Sequence, residues 1–567
     1  ATNGGVSVIK DDGTVVDITV NNANYTHAHK VDFLNDNSLG MSIGVTNGIA
    51  QESYYIFNSI PTTDNVITVD NIAGTTQNVD EFYAIQHPNT LVDLQINGVD
   101  TNRKLSASTG NIFGSDEGLS IIDRKVGAPD KGMVAYIGSD YNTGWMIGQT
   151  KLSTLSDTSG DQISSNNFVT NGDMSTSDTS SFVPYNSGTL GASVSITNGE
   201  LKLTHTGTTN YAFARVIFDA EIGQVYTVKG RLKNGNASSY AQVKPHSGCT
   251  FNPGEKVHSG TSYEDFYFTV TATATSVQFR LQLVGSNGQY AYFDDIVAKR
   301  AVADRTLYNN NALEVYGTIT KTAVATGADL VGYNTAAENT RFLLPDASDI
   351  ALGTGDFTIL LWVNEGTFNT NHYVMDKVIT DGSGTGRLYV IIDPNGKHVI
   401  GFPGQSAVTS TGASVSEGTW QLVSFIRRSG VMYFGINENI VHSASVSYDA
   451  EGGTTGHKAY IGDYSGGQAN YGFDSMALFR LSKTGISDNQ LSKIYEDEKA
   501  LFQENAKATL YGSSDAVTAL AYDDDTEILH AGTDQGRSDF QGLRRINNTT
   551  IAVGTAISAV DGFIVEE

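Results

Sequence analysis

The chain has 567 residues, 35 of them Lys or Arg against 61 Asp or Glu, for a formal net charge of −26. That length exceeds one hydrophobic core, so roughly three to five domains are expected. The charge repels phosphate backbones and anionic bilayers, which argues against nucleic acid or membrane as a partner, and the single cysteine, Cys249, excludes an intrachain disulfide.

Gly, Ser, Thr, Asn and Asp outweigh the helix formers Lys, Glu and Leu. With 39% hydrophobic and 17% charged residues, this is the composition of an all-β, multidomain protein with many turns. No apolar run approaches the roughly 18 residues of a membrane span. The chain begins at Ala1 without an initiator Met, which fits processing or a longer parent. No cofactor is required. Acidic β-proteins do hold Ca²⁺ through carboxylate and carbonyl oxygens, so a structural calcium stands beside the simpler reading of charge as solubility.

Residues 1–158 contain a recurring turn. Ala1-Thr2-Asn3-Gly4-Gly5-Val6-Ser7 matches Gly114-Ser115-Asp116-Glu117-Gly118-Leu119-Ser120, and both match Gly532-Thr533-Asp534-Gln535-Gly536-Arg537-Ser538 near the other end. A glycine turn between short strands, repeated with self-similarity, predicts propeller-like blades. Residues 1–158 and 506–567 are therefore expected to share one body, with the middle of the chain inserted into it. His27-Ala28-His29 puts two imidazoles on one strand face, read as structural or surface residues rather than a metal site.

A Ser, Asn, Asp and Gly linker leads into a second unit, 165–300. Strands are predicted at 193–197, 200–205, 211–217, 225–232, 266–271, 277–283 and 290–297, a spacing that suits a β-sandwich. The opening Asn171-Gly172-Asp173-Met174 and the closing Tyr292-Phe293-Asp294-Asp295-Ile296 resemble carbohydrate-binding modules of the galactose-binding-like jelly-roll type. Met174-Ser175 stands where Phe-Glu is usual in that family. The resemblance implies a structural Ca²⁺ near Asp173 and Asp294, with one usual ligand missing.

Residues 301–341 read as connector strands, and 342–485 as a further sandwich. Its runs are Gly355-Asp356-Phe357-Thr358-Ile359-Leu360-Leu361-Trp362-Val363, Trp420-Gln421-Leu422-Val423-Ser424-Phe425, Met432-Tyr433-Phe434-Gly435-Ile436 and Asp474-Ser475-Met476-Ala477-Leu478-Phe479-Arg480. Such runs, bounded by Gly, Asn or Ser, predict antiparallel strands with one face buried and one wet. Their order resembles the laminin-G, concanavalin A-like jelly roll of lectins and pentraxins, with Trp362 and Trp420 at buried positions.

One helix is predicted, within 486–505. Ser487-Asp488-Asn489-Gln490 has the form of a capping box, and Leu491, Ile494 and Tyr495 then share a face. The segment 483–504, together with Tyr141-Asn142-Thr143-Gly144-Trp145, resembles appendage proteins of marine bacteriophages.

No active site emerges. Jelly-roll glucanases space their acids as Glu-x-Asp-x-Glu so that both lie on one strand face, and no such run occurs; Asp474 stands alone. Aromatics are the stronger binding candidates, because sugars present flat C–H faces to Tyr and Trp while polar neighbours bond the hydroxyls. In the lectin-like unit these are Tyr460, Asp463, Tyr464, Gln468, Asn470 and Tyr471, in a glycine-rich stretch expected to form an exposed rim loop. In 165–300 they are Tyr211, Phe213, Tyr240 and Tyr290.

The resulting expectation is a non-enzymatic virion appendage, a tail fibre or spike, whose two jelly rolls engage host-surface glycans from a propeller-like base. Its partners would be other virion proteins and copies of itself. The alternatives are a purely structural virion protein and a polysaccharide depolymerase with a site between subunits.

Overall fold

Nearly every element is a strand, and the one α-helix among the described residues is Asp488–Glu498. The computed structural model describes 5–20, 25–33, 39–45, 52–57, 59–69, 76–77, 81–84, 107–108, 112–115, 118–123 and 131–566, except 237–238, 307–310, 346, 379–385, 452–457, 467–470, 524 and 555. The side chains of His27 and His29 fall outside this description.

Two of the three repeated turns lie in described hairpins of the same form. Ile112–Ser115 pairs with Gly118–Asp123, closing on Ser115 opposite Gly118. Ile528–Thr533 pairs with Gly536–Gln541, closing on Thr533 opposite Gly536. Gly118 has φ 138° and Gly536 φ 149°. A Cβ on Gly118 would lie 2.8 Å from the carbonyl oxygen of Ile137, and one on Gly536 would lie 2.1 Å from that of Thr549. The repeat thus marks a backbone position that only glycine fills. Each hairpin belongs to an antiparallel meander, one running from Ala107–Ser108 to Asn142–Ile147 and the other from Val517–Asp523 to Arg544–Thr549. Such meanders have the form of a propeller blade. They touch: Asp515 Oδ1 accepts from Ser139 N at 2.6 Å, and Asn142 Nδ2 donates to Leu543 O at 3.0 Å.

Residues 165–300 form a sandwich. One sheet runs Phe182–Pro184, Tyr211–Asp219, Ser276–Val284, Tyr240–Ser247, Lys256–His258. The facing sheet includes Glu200–His205, Tyr290–Val302, Val225–Asn234 and Glu264–Ala272. Between them pack Leu201, Leu203, Val216, Phe268, Phe279 and Phe293.

The structure redraws the expected boundaries of the lectin-like unit. Leu313–Tyr316, Thr318–Ala323 and Val331–Asn334 are not connectors but members of its sheets, and Thr150–Thr154 pairs with Ser475–Ser482. Nor do the two sandwiches stand apart. Tyr290–Val302 begins in the 165–300 sandwich and ends opposite Leu313 and Glu314, so one sheet runs through both.

Phe357–Asn364 was expected to have one wet face, and both its faces are covered. Phe357, Ile359, Leu361 and Val363 point into the core between the two sheets. Leu360 and Trp362 point the other way, into a second core shared with Leu119, Trp145, Leu491, Leu501, Leu520 and Phe540. That is why the run reads as continuously apolar. The helix supplies the cover. Trp362 stacks on Phe502 at 4.2 Å and on Tyr495 at 5.8 Å.

At the centre of this second core, Glu498 is fully buried. Its carboxylate accepts from Trp145 N (2.8 Å), Trp362 Nε1 (2.7 Å) and Arg480 Nη2 (2.9 Å), and Arg480 Nη1 bonds it as well. One carboxylate therefore ties together the N-terminal segment, the lectin-like sheet and the helix. A buried charge needs this degree of satisfaction to be tolerated.

Candidate functional site

The outward face of the lectin-like sheet that carries His372–Val378, Arg387–Ile392 and Lys458–Ile461 collects aromatic and charged side chains. Alternation sets which residues face outward. Val374, Met375, Leu388, Val390, Ala459 and Ile461 fill the core, leaving Tyr373, Asp376, Arg387, Tyr389 and Tyr460 on the other side. In register, Asp376 lies opposite both Tyr460 and Tyr389.

Three tyrosines meet at one end. Tyr373 lies 5.4 Å from Tyr464 and 5.8 Å from Tyr471, which are 6.1 Å from each other (ring centroids). All three are half-buried, and burial pushes the Tyr373 hydroxyl up to about 12. Arg387 lies 4.6 Å over the Tyr464 ring, held by Asp376 through Nε at 2.8 Å. The second Asp376 oxygen accepts from Ser465 N at 2.8 Å, anchoring the loop. Tyr373 N donates to Tyr471 O at 2.8 Å, fixing the loop's far end.

Further along the face, Arg341 lies 5.3 Å from the Tyr460 ring and 5.4 Å from Tyr316. Asp463, expected on an exposed rim, is fully buried, 3.8 Å from Arg341. Its Oδ1 accepts from Tyr464 N at 2.6 Å, so it organises the loop from beneath. Burial pushes its carboxyl up to about 7, although Tyr464 N and Arg341 pull the other way. Gly472, expected to let a ligand approach, is instead pressed against the chain itself. A Cβ there would lie 2.0 Å from Thr335 O. Gln468 and Asn470 lie outside the described residues.

The tyrosines expected in the 165–300 unit fall on two sheets. Tyr211 and Tyr240 flank Val284 in one cross-strand row. Tyr290 is on the other sheet, against Tyr292 at 5.5 Å and under Lys202 at 4.1 Å. Phe213 is almost wholly covered.

The two carboxylates expected near calcium are each engaged elsewhere. Asp294 bonds Arg231 at 2.6 Å, a cation where a cation ligand was expected, and Asp173 accepts from Ser175 Oγ at 2.9 Å. Among the described residues no group of three or more His, Cys, Asp or Glu side chains could hold a metal ion.

Sequence reasoning missed Tyr373, Asp376, Arg387 and Arg341. For Arg387 the signal was the alternation of polar and apolar residues in 387–390; at 373–375 a register shift breaks the alternation, so Tyr373 and Asp376 carried no such signal. It also missed a carboxyl pair. Glu365 Oε2 accepts from Asp474 N at 2.9 Å and Asp474 Oδ2 accepts from Gly366 N at 3.1 Å. Burial, with a further contribution from the Asp474 charge, pushes Glu365 up to about 7.

Residues 336–491 match the Laminin_G_3 family of the concanavalin A-like lectin/glucanases superfamily. The lectin-like sandwich is a concanavalin A-like jelly roll. The match is confined to that part of the chain. Solved structures with some likeness include domain 4 of AbnA, a GH43 extracellular arabinanase from Geobacillus stearothermophilus, in complex with arabinotriose. It is 14% identical, with 32% of this chain and 82% of that one covered and a TM-score of 0.25. The CBM40 of Ruminococcus gnavus IT-sialidase bound to alpha2,3 sialyllactose is 13% identical, covering 29% and 96%, with a TM-score of 0.26. The native heptameric SAP-like pentraxin from Limulus polyphemus is 11% identical, covering 26% and 72%, with a TM-score of 0.22. Nothing further follows from likeness this partial. No match was found among curated proteins.

Proposed function

We propose that this chain is a non-enzymatic glycan-binding appendage, a virion tail fibre or spike part, that attaches to host-surface glycans through its lectin-like sandwich. The observation that carries the glycan reading is the Tyr373–Tyr464–Tyr471 cluster on the outward face of a concanavalin A-like jelly roll. Tyrosine rings offer apolar area at low entropic cost, and their hydroxyls bond sugar hydroxyls. The loop is tied down at Ser465 and Tyr471 before any ligand arrives, which lowers the ordering cost of weak binding. The virion placement rests on the resemblance of 483–504 to phage appendage proteins. Repeated copies in an oligomer would raise a weak sugar affinity. The test is binding of the full chain to a glycan array and to host cells. The wild type should bind and the Tyr464→Ala/Tyr471→Ala variant should bind about ten-fold or more weakly; no binding of the wild type to any glycan would leave a structural virion role.

The Glu365–Asp474 pair favours a second reading, polysaccharide hydrolysis. A buried carboxyl pushed up to about 7 beside a second carboxyl is the form of a general acid and its partner. Release of reducing ends from host polysaccharide, abolished by Glu365→Gln, would establish it.

A further inference from the structure

The 165–300 sandwich carries a row of cations that its own acids do not neutralise. In the sheet register Arg215 lies directly opposite Arg280, and Arg280 directly opposite Lys244. Three positive side chains thus stand side by side across three adjacent strands. Like charges in directly opposed positions destabilise a sheet. The usual remedy is a nearby carboxylate, and this chain has an excess of 26 acidic residues from which to supply one. Elsewhere in the same unit it does so: Arg231 pairs with Asp294, Lys233 with Glu200, Lys229 with Glu314 and Lys256 with Glu264. Among the described residues, Arg215, Arg280 and Lys244 have no ion-pair partner. Glu255 bonds Gln242 Nε2 at 2.7 Å, and Asp219 lies four residues beyond Arg215, about 13 Å along the strand.

The row is also preorganised. Arg280 sits 4.4 Å over the Phe213 ring and Arg215 5.3 Å over Tyr185. Those rings are themselves stacked, Tyr185 on Phe213 at 4.7 Å and Phe213 beside Tyr211 at 6.3 Å, both with a 14° interplanar angle. Arg280 donates from Nε and Nη2 to His246 Nδ1, at 3.0 and 2.8 Å. Burial, and then the charges of Arg280 and Arg215, hold that imidazole below its usual range. At neutral pH it is therefore an uncharged acceptor that orients Arg280 without cancelling its charge. Beside the row lie Gln242 and Gln282, joined by a 2.8 Å bond. Buried Gln282 Oε1 and Arg215 Nε have no hydrogen-bond partner.

We propose that this face binds an acidic polysaccharide, its carboxylate or sulfate groups seated on the Arg215–Arg280–Lys244 row. Guanidinium groups match both kinds of oxyanion in a bidentate way, and the flanking glutamines and Tyr211 suit sugar hydroxyls and C–H faces. An acidic protein, including a second copy of this chain, could meet the charge but has no need of the carboxamides. The net negative charge does not oppose such a site, because salt screens the rest of the surface beyond a Debye length of about 8–10 Å. The inference extends the reading of the chain as a glycan-binding protein, but it concerns a different face and a different ligand class.

The test is binding of the full chain to immobilised alginate (carboxylate), dextran sulfate (sulfate) and neutral dextran at low and high salt. Wild type should bind one or both polyanions, weaken as salt rises, and ignore dextran. Arg215→Gln/Arg280→Gln should lose about ten-fold or more in affinity and flatten the salt dependence. Arg280→Lys should retain part of the binding, which controls for folding. Tyr464→Ala/Tyr471→Ala should bind the polyanions as wild type does, so failure at the lectin-like face leaves this result readable. The proposal is overturned by equal binding to dextran, by wild-type polyanion affinity in the double Gln variant, by single-stranded DNA displacing the polyanion more strongly than free alginate or dextran sulfate does, or by a salt-sensitive dimer that the same variant abolishes while polyanion binding persists.

Discussion

Two sheet faces of this molecule carry tyrosines and arginines, and they handle charge in opposite ways. On the lectin-like face each arginine has a carboxyl built in beside it, Asp376 in close contact with Arg387 at 2.7 Å and Asp463 more loosely beside Arg341 at 3.8 Å. On the 165–300 face Arg215 and Arg280 stand opposite each other, and among the described residues their side-chain bonds go to neutral groups, Gln278 and His246. The fold type does not dictate this difference, since both are outward faces of β-sandwiches. What differs is whether the carboxylate comes from the chain or is left to the ligand. A self-neutralised face suits a neutral glycan, and an uncompensated one suits an anion.

The largest expected effect separates the two faces mechanically. Glu498→Ala leaves Arg480 buried without its counter-ion and orphans two donors, at a cost of about 3–5 kcal/mol. The lectin-like jelly roll and the helix should melt earlier in calorimetry. Polyanion binding by the 165–300 face, whose core is separate, should survive.

Removing the aromatic contribution comes next. Tyr464→Ala/Tyr471→Ala should weaken neutral-glycan binding by about ten-fold or more, taking about 0.5–1.5 kcal/mol for each aromatic contact. Circular dichroism should stay unchanged and polyanion affinity unaffected.

The comparison can also be blurred deliberately. Asp376→Asn releases Arg387 from its carboxylate while preserving shape. It should give the lectin-like face a new affinity for alginate, about two- to five-fold above background, from one guanidinium freed of its acid. No gain would mean that charge pairing is not what separates the faces.

The remaining effect is in pH. Asp463 in the fold titrates near 7, against about 3.9 when unfolded. Between those values the folded state holds a proton that the unfolded chain has lost. Stability of the lectin-like unit therefore falls as pH rises from about 4 to about 7 and then levels off. Asp463→Asn should flatten that slope in thermal melts, leaving a residual one from Glu365, which is shifted the same way.

Much of the frame was legible because it rests on local signals. The apolar runs at 357–363 and 475–481 are strands, and the capping box at Ser487 and Gln490 forms with both of its bonds. The glycine turn repeats because a Cβ cannot be placed at Gly118 or Gly536. The site was legible only in part. Tyr464 and Tyr471 stood out in a glycine-rich stretch, but Tyr373 and Arg387 reach them from strands well before it in sequence. Asp463 looked like a rim residue because its counter-ion, Arg341, lies on a strand far back in the chain. Asp294 resembled a calcium ligand for the same reason, its partner Arg231 being visible only through sheet register.

Hydrogen exchange of the full chain, read by mass spectrometry with a neutral host oligosaccharide and separately with alginate oligomers, tests the two-face account most directly. The account predicts protection by the neutral glycan within 371–378 and 458–475, and protection by alginate within 211–219, 240–247 and 276–284. Protection of the same segments by both ligands, or of neither set by either, would contradict it.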